Sequence, residues 1–309
     1  MKRNNQKGAA LMLVLWVIVL LTAIVTEFAF SMRTEVNITR NFKEETEAYY
    51  TAIAGIEMAK EEILSAKEQT YLNKDGELIF GEKTPDRKGT LGNTEYFYTI
   101  IDEDRKINLN SAAPEQLRYI LKYANVGDAE IDTIVDSILD WRDADNLHRL
   151  NGAEEDYYQS LPKPYSCKDG TFDTVEELLM VKGVTPEMLY GSRDEAGYKA
   201  ISEYLTAKSS NIININTADR IVLEARLGSA VAENILMQRS AGPILTPMAG
   251  GIVKSTYFTI ISRGGSGKIR RTIKAVVMKK TDEALDVLYW NDNFAEGLQG
   301  IKNKDNAKK

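Results

Sequence analysis

Eighteen consecutive residues without a charge, Ala9–Thr26, lie near the start of this 309-residue chain. The apolar region continues to Phe30, about 22 residues in all, and as a helix it spans roughly 33 Å. That length is enough to cross the hydrocarbon core of a bilayer. Residues 2–7 (KRNNQK) form a basic flank, which stays on the cytoplasmic side of a membrane. We therefore predict a single-pass membrane anchor over residues 9–30, with a cytoplasmic N-terminus and the bulk of the chain on the other side.

The apolar run does not end at a small-x-small cleavage site, as the core of a secretory signal would. It continues into a helical pattern of apolar residues that fall on one side: Phe42, Tyr49, Ala52, Ile53, Ile56, Ala59 and Ile63. We predict one helix from residue 9 to about residue 66, apolar all round over 9–30 and amphipathic over 31–66. A simple signal anchor with a stalk is the alternative that this pattern leaves open.

The residues around Gly8 resemble the class III signal of type IV pilins and pseudopilins. A short basic leader ends in Gly8 and is followed by the apolar run Ala9-Ala10-Leu11-Met12-Leu13-Val14-Leu15-Trp16. In that family a prepilin peptidase cuts after the glycine, and the new N-terminus is methylated. The resemblance implies a leader peptide of residues 1–8, a cut between Gly8 and Ala9, and methylation of Ala9.

Leu13 departs from the usual pattern of this family. Most members carry a glutamate at this fifth mature position, where its carboxylate pairs within the membrane with the N-terminal amine of a neighbouring subunit. Its absence, together with the Ala-Leu-x-x-x-Leu-Trp run, is typical of the general secretion pathway protein K family, the minor pseudopilins of type II secretion. The alternative is that Leu13 is a lipid-facing residue of an unrelated anchor.

The resemblance to the protein K family implies a location and partners. The location is the bacterial inner membrane, with the bulk of the chain in the periplasm. The partners are the prepilin peptidase and other minor pseudopilins, with which such a protein initiates and caps the pseudopilus tip. A related type IV pilus system is not distinguished from type II secretion by the residues themselves.

Strand signals flank a long helical block in the exported part of the chain. Strand patterns lie at 77–80, 95–101, 256–262, 268–279 and 285–290, and the glycines of Arg263–Gly267 predict a hairpin turn. Helices are predicted over Pro114–Tyr123, Asp128–Asp143, Val175–Val181, Pro186–Tyr190, Ala196–Leu205 and Ala218–Arg239. The expected fold class is α+β, with a pilin-type antiparallel sheet and a large helical domain of the helix-hairpin-helix or SAM-like type inserted between strands.

The same pattern predicts the division of the chain after its N-terminal helix. A pilin α/β domain is expected in two parts, residues 67–104 and 253–297, separated by the helical insert of residues 105–252. A polar tail, residues 298–309, follows. This arrangement resembles the protein K family along nearly the whole chain.

A six-residue motif occurs twice, as Ile107–Ala112 (INLNSA) and as Ile213–Ala218 (ININTA). A predicted helix follows each copy, and we expect it to be capped by Ser111 and Thr217, or by Asn110 and Asn216. The motif resembles the entry to helix-hairpin-helix units. A membrane-tethered DNA receptor of the competence type is therefore the alternative function.

Two observations argue against a nucleic-acid partner. The candidate hairpins at 125–128, 182–185 and 226–229 each lack one glycine of the Gly-x-Gly pattern that holds a phosphate. Residues 102–250 also carry 25 acidic and 15 basic side chains, whereas a surface that follows phosphates has an excess of positive charge. We expect no nucleic-acid partner.

Carboxylates are dense in the segment Asp140–Asp156. Ca²⁺ takes six to eight oxygen ligands on a flexible frame, and such a loop can supply them. The pattern is not an EF-hand, because Leu147 and His148 occupy positions that need Asp or Asn and then Gly. A solvated acidic loop, with Asp140 and Asp143 paired to nearby arginines, is equally compatible with the composition.

The runs Asp-Trp-x-Asp-Ala-Asp and Gly-Ala-Glu are similar to a protein K segment whose helical domain binds calcium. The resemblance implies a structural Ca²⁺ ion, for which the candidate ligands are Asp143, Asp145, Glu154, Glu155 and Asp156, with Asp140 as a further candidate. Without a cation these charges repel one another, and the loop should loosen.

The sequence offers few parts for catalysis. His148 is the only histidine, so nucleophile systems that depend on a histidine base are incomplete. Cys167 lies in a polar loop with no activating partner in the sequence. We expect that the protein is not an enzyme.

Overall fold

The computed structural model describes residues 5–81, 86–192, 197–266 and 268–295. Residues 1–4 of the predicted leader, Gly267 of the predicted turn and the predicted tail 298–309 lie outside them. The helices are α1 (Asn5–Ser65), α2 (Pro114–Tyr123), α3 (Asp128–Arg142), α4 (Glu155–Gln159), α5 (Pro186–Tyr190), α6 (Arg220–Leu227) and α7 (Ser229–Ala241). The strands are β1 (Thr70–Leu72), β2 (Leu78–Phe80), β3 (Lys88–Leu91), β4 (Thr94–Asp102), β5 (Ile107–Asn108), β6 (Leu205–Thr206), β7 (Tyr257–Ser266), β8 (Ile269–Thr281) and β9 (Ala284–Asn291).

Helix α1 is continuous over 61 residues, as predicted from a pattern that is apolar all round at first and amphipathic later. Its residues 8–43 are exposed, and its C-terminal part packs against the sheet through buried residues at helical spacing: Ala48, Thr51, Ala52, Ile56, Ala59 and Ile63. Phe42, predicted on the same face, is instead 70% exposed, because the helix reaches the sheet only beyond it.

The main sheet has five antiparallel strands in the order β3-β4-β7-β8-β9. Alternate residues of β4 point toward α1, and Tyr96, Tyr98 and Ile100 join Phe258 and Ile273 in one hydrophobic core. A separate ribbon of β1 and β2 follows α1. The α+β fold with an antiparallel sheet is therefore present, as predicted.

The turn between β7 and β8 is shorter than predicted. Strand β7 extends through Gly264 and Gly265 to Ser266, which pairs with Ile269. Gly264 and Gly265 of the RGGSG run lie in the strand, where Gly264 meets the backbone of α1.

The insert, residues 105–252, has a second hydrophobic core of its own. Its helices α2 and α3 pack together, α6 packs on α7, and α2 contacts α6. The short parallel pair of β5 and β6 ties the beginning of the insert to its middle. Because the two cores are built from different side chains, the sheet and the insert are two packed layers joined at a polar junction.

Three predicted helices of the insert are corrected. The predicted helix Ala218–Arg239 is two helices, α6 and α7, because Gly228 between them has a positive φ of 82°. The segment Val175–Met180 is a 3₁₀ helix. Of the predicted Ala196–Leu205 helix the structure describes residues 197–205, and within these only Ile201–Glu203 is helical, again as 3₁₀. Helix α4, in the acidic segment, was not predicted.

The repeated motif does not cap the helices that follow it. Ser111 donates to Asn211 Oδ1 (2.7 Å) and Thr217 donates to Asp102 Oδ2 (2.5 Å), so both hydroxyls are used elsewhere. The caps are Gln116, which accepts from Ala113 N–H, and Asp219, which accepts from Ile221 N–H. The capping prediction is wrong because long-range partners compete successfully for these side chains.

The insert joins the sheet at the C-terminal end of α1. Lys279 of β8 donates its side chain to the Ile63 carbonyl (3.1 Å) at the end of α1, and its N–H to the Thr256 carbonyl (2.7 Å) just before β7. At the other end of β7, Gly264 lies against Ala48, nearer the N-terminus of α1. The insert is therefore attached at the end of the sheet farthest from the apolar segment.

Candidate metal centre and assembly surface

Three of the predicted ligands converge at the C-terminal end of α3. Oxygens of Asp143, Asp145 and Glu154 all lie within 4.8 Å of one another. Two ligands on opposite sides of a Ca²⁺ ion are about 4.8 Å apart, since a Ca–O bond is about 2.4 Å long. The three carboxylates can therefore reach one ion of that size.

The carboxylate of Glu154 receives no hydrogen bond from an N–H or O–H group of the described residues, and its hydrogen-bonding neighbour is the thiol of Cys167. Its side chain is 1% exposed, and both of its oxygens, like Asp143 Oδ1, are buried without an N–H or O–H donor. Burial, followed by the negative charges of Asp140 and Asp143, raises the pKa of Glu154 to about 7. Because a buried anion is costly and a thiol is only a weak donor, the donor set fits a bound cation.

Asp140 has a structural place beside the centre. It is fully buried and accepts from Arg149 Nη1 (2.6 Å), which also donates to Asp143 Oδ2 (2.6 Å). A side chain at Gly152 would clash with the Asp140 carboxylate, so the loop closes on it only with glycine there. Arg142, the other expected partner, instead donates to the carbonyls of Leu109 and Ala112.

Glu155 and Asp156, also predicted as ligands, are directed elsewhere. Glu155 Oε2 accepts from the Cys167 N–H (2.6 Å), and this bond holds the pKa of Glu155 below its ordinary value. Asp156 is 72% exposed, and its Oδ1 lies 3.2 Å from Nε2 of His148. Both begin α4, where neighbouring side chains diverge around the helix axis, so we remove them from the candidate ligand set.

Two residues far along the chain lie close to Glu154. Cys167 and Asp169 lie with Glu154 in a second group whose ligand atoms are within 4.8 Å of one another. The loop that carries them is held to α3 by the Gly170 N–H, which donates to the Trp141 carbonyl (3.3 Å). Burial raises the pKa of the Cys167 thiol to about 12. The sequence analysis did not place either residue near the acidic segment, because they come from a separate loop.

The residues of the predicted processing signal lie on α1. Gly8, Ala9 and Leu13 are exposed, and the helix runs through all three without a break. Among the described residues, α1 is the one helix long and apolar enough to cross a membrane. Between residues 27 and 43 it still exposes large apolar side chains, namely Phe28, Phe30, Met32, Val36, Ile38 and Phe42. We call these six residues the α1 apolar surface.

The helical hairpins of the insert are occupied by the protein's own groups. The Gly127 N–H at the start of α3 donates to the Glu130 carboxylate (3.3 Å). Lys182 donates to the Gly152 carbonyl (2.9 Å), and Arg226 donates to the Asn211 carbonyl (2.9 Å). The groups that a phosphate would need are engaged, and this does not favour the DNA-receptor alternative.

Comparison with known proteins gives a consistent result. Residues 98–191, from β4 to the end of α5, match the family "Type II secretion system (T2SS), protein K". The chain is 26% identical over 261 residues to type II secretion system protein K of Pectobacterium carotovorum subsp. carotovorum, covering 77% of this chain and 74% of that protein. It is 23% identical over 320 residues to the protein K of Pseudomonas aeruginosa, covering 93% and 92%.

Among solved structures, the fold is similar to a chain in the GspK-GspI-GspJ complex of the enterotoxigenic Escherichia coli type 2 secretion system. The TM-score is 0.64 at 17% sequence identity, and the match covers 83% of this chain and 99% of that one. At this identity the likeness concerns the fold: a long helix, an antiparallel sheet and a helical insert.

Proposed function

We propose that the chain, a minor pseudopilin of the type II secretion system protein K family, caps the tip of the pseudopilus together with other minor pseudopilins. The observation that carries this proposal is the place of the insert. It is attached at the end of the sheet farthest from the apolar segment of α1. If subunits stack along α1, a domain there occupies the space that the next subunit would need.

The anchor part of the proposal concerns the inner membrane. The apolar segment of α1 spans it once, with the N-terminus in the cytoplasm and the sheet and insert in the periplasm. The prepilin peptidase cuts between Gly8 and Ala9, and Ala9 is then methylated. Leu13 leaves this subunit without a carboxylate for the amine of a neighbour. Mass spectrometry of the membrane-bound protein tests this part, and an N-terminus at Met1 would contradict it.

The α1 apolar surface supports contacts with other subunits. The neighbour in the similar structure is a complex of GspK with GspI and GspJ, and we propose two other minor pseudopilins as partners of this chain. They would bury apolar side chains that this chain alone leaves exposed.

Co-purification of the full-length protein with the minor pseudopilins of its own system tests these contacts. Phe42→Lys on the α1 apolar surface is expected to abolish co-purification. Met237→Lys is the matched control, because Met237 is 65% exposed, close to the 70% of Phe42, but lies on α7 of the insert. Equal retention of partners by both variants would rule out the α1 apolar surface as the contact.

The place at the tip is tested separately by labelling. Gold-coupled antibodies against the insert are expected to mark one end of overproduced pseudopili. Label spread along the shaft would contradict capping.

The ion in this proposal is Ca²⁺, held by Asp143, Asp145 and Glu154 with water as a further ligand. A divalent cation there supplies positive charge to buried oxygens that otherwise repel one another. The segment that follows α3 is then tied to the start of α4. The role is structural, and the insert keeps its shape in the periplasm.

Thermal unfolding with Ca²⁺ and with chelator tests the calcium proposal. At a calcium concentration about 100 times Kd, the Tm is expected to rise by about 5–10 °C. Asp145→Asn is expected to remove this rise. Asp156→Asn, outside the cluster and 72% exposed, is expected to retain it. A wild-type Tm that does not respond to calcium would overturn the proposal.

A further inference from the structure

A cleft of about 350 Å³ lies between the main sheet and the insert. On the sheet side it is lined by Ile101, Ile261 and Val276, which alternate with the residues that face α1 and so lie on the opposite face of the sheet. On the insert side it is lined by residues of the segments 173–176 and 200–208. The sheet and the insert are therefore not in close contact here, and the cleft leaves room for their separation to change.

An ion pair crosses this cleft. Lys274 Nζ on β8 donates to Glu176 Oε1 in the 3₁₀ helix Val175–Met180 (3.1 Å), and the two side chains are 14% and 34% exposed. Burial acts to raise the pKa of Glu176, but the charge of Lys274, together with hydrogen bonds, holds that pKa below its ordinary value. The Glu176 carboxylate is therefore ionised at neutral pH, and the pair links a strand of the sheet to the insert.

The segment 167–177 begins beside the proposed calcium centre. The Cys167 N–H donates to Glu155 Oε2 (2.6 Å), and Glu155 directly follows the glutamate of the centre in the sequence. The Gly170 N–H donates to the Trp141 carbonyl (3.3 Å) near the end of α3. This end of the segment is therefore attached to both stretches of chain that supply the proposed ligands.

The other end of the segment carries Glu176. Lys168, at the start of the segment, donates its ammonium group to Asp173 Oδ2 (2.8 Å) and to Glu177 Oε2 (2.6 Å). The second oxygen of Glu177 accepts from the N–H groups of Asp173 (2.9 Å) and Thr174 (3.1 Å). These bonds hold the start of the 3₁₀ helix against the beginning of the segment, so Glu176 does not move independently of it.

We propose that the segment 167–177 couples the ion centre to the cleft: a divalent cation bound at the centre favours the Lys274–Glu176 ion pair and holds the insert closer to the sheet. Without the cation the three carboxylates of the centre repel one another, and the stretches of chain around them loosen. The attachment of the segment then loosens as well, and Glu176 spends less time opposite Lys274. The inference rests on the proposed calcium centre and gives its ion a role beyond its own loop.

Coupling of this kind is reciprocal: if the cation favours the ion pair, the ion pair favours the cation by the same factor. Removing the charge of Glu176 is therefore expected to weaken calcium binding, although Glu176 is not one of the proposed ligands. A partly exposed ion pair has a small interaction energy, so the expected loss of calcium affinity is about two- to fivefold.

The test measures the reactivity of lysine amines in the full-length protein in detergent, with chelator and with saturating Ca²⁺. An amine-reactive label modifies Lys274 more slowly when its ammonium group is held in the ion pair, and mass spectrometry reads each lysine separately. With Ca²⁺ we expect the labelling rate of Lys274 to fall at least about threefold. Lys280, on the same strand and 63% exposed, is the internal control and is expected to react equally in both conditions.

Glu176→Gln removes the negative charge of the pair with little change in shape. In this variant the labelling of Lys274 is expected to become independent of Ca²⁺, and calorimetry is expected to show the weaker calcium binding. Glu187→Gln, exposed on α5 of the insert, is the matched control and is expected to behave as the wild type.

The wild-type comparison decides the inference even if Glu176→Gln does not fold. Equal labelling of Lys274 with and without Ca²⁺, in a protein whose Tm still rises with calcium, would overturn the coupling and leave the calcium proposal intact. A Tm that does not rise with calcium would overturn both.

Discussion

Gly264 of β7 lies where the backbone of α1 meets the sheet. A side chain there would collide with the Ala48 carbonyl and the Ala52 N–H, so this approach is possible only with glycine. Alanines on the helix and glycine on the strand bring the two backbones together. The same crowding recurs one turn later, where a side chain at Gly55 would meet Ser262.

We predict that Gly264→Ala lowers the free energy of unfolding by about 1–3 kcal/mol, because helix backbone cannot move aside as a flexible side chain can. Gly265→Ala is the matched control. Its new methyl would come no nearer than 3.6 Å to Arg270 Cγ, an ordinary contact. Urea unfolding of both variants measures the difference, and equal stabilities would show that α1 adjusts freely on the sheet.

Each copy of the repeated motif, 107–112 and 213–218, holds a distant segment of the chain through an asparagine side chain. In the second copy, Asn216 accepts from the Ile244 N–H (2.9 Å) and donates to the Ile244 carbonyl (2.8 Å). In the first copy, Asn110 pairs in the same way with Phe172 (2.7 and 3.0 Å). In each motif the asparagine side chain makes the two hydrogen bonds that a neighbouring strand would make with the backbone of the distant residue. The repeat in sequence corresponds to a repeat of this hydrogen-bond pattern.

Asn216→Ala is expected to destabilise the protein by about 2–4 kcal/mol, because it leaves two buried backbone groups of Ile244 without partners. Asn234→Ala on the exposed face of α7 is the control, since its amide contacts only Gln238 (2.7 Å). Thermal unfolding measures both. A loss no greater than that of the control would mean that water or a neighbour satisfies Ile244.

At the scale of the whole molecule, a buried polar junction joins the sheet to the insert. Asp102 at the end of β4 accepts from Ser255 Oγ (2.6 Å) and from Thr217 Oγ1 (2.5 Å). Asp104 accepts from the Ser210 N–H (2.7 Å) in the insert and the Thr256 N–H (2.7 Å) before β7. These carboxylates connect the two hydrophobic cores.

The junction predicts a pH dependence of stability. Burial, and next the charge of Asp104, raises the pKa of Asp102 to about 7, although Ser255, Thr217 and Arg105 act in the opposite direction. In the unfolded chain the pKa is about 3.9. The stability that Asp102 contributes is therefore complete below about pH 4 and is lost as the pH rises to about 7.

Asp102→Asn cannot titrate at this position, so its free energy of unfolding is expected not to show this decrease between about pH 4 and pH 7. Asp86→Asn is the control, because Asp86 is 73% exposed and its ion pair with Lys88 (3.5 Å) lies at the surface. The free energy of unfolding in urea, measured across this range, gives the slopes. A slope in Asp102→Asn like that of the wild type would assign the effect to other groups.

The sequence by itself determined the features that depend on neighbouring residues. An uncharged run long enough for a membrane and a 3.6-residue apolar pattern predicted α1 almost to its last residue. Alternation and β-branched residues located four strands of the main sheet, and α2 and α5 were predicted with their observed bounds. These signals are local, because helix periodicity and strand alternation can be recognised within a short segment of the sequence.

Only the tertiary structure decided which side chains share a place. Glu154, Glu155 and Asp156 are equivalent in sequence, yet burial and the absence of an N–H or O–H donor distinguish Glu154 from the other two. Cys167 and Asp169 approach Glu154 from a distant loop. Gly264 and Gly265, for which the sequence predicts a hairpin turn, lie in β7, and Gly264 meets the backbone of α1. Burial, unpartnered oxygens and backbone clashes arise between segments far apart in the chain, so no local pattern carries them.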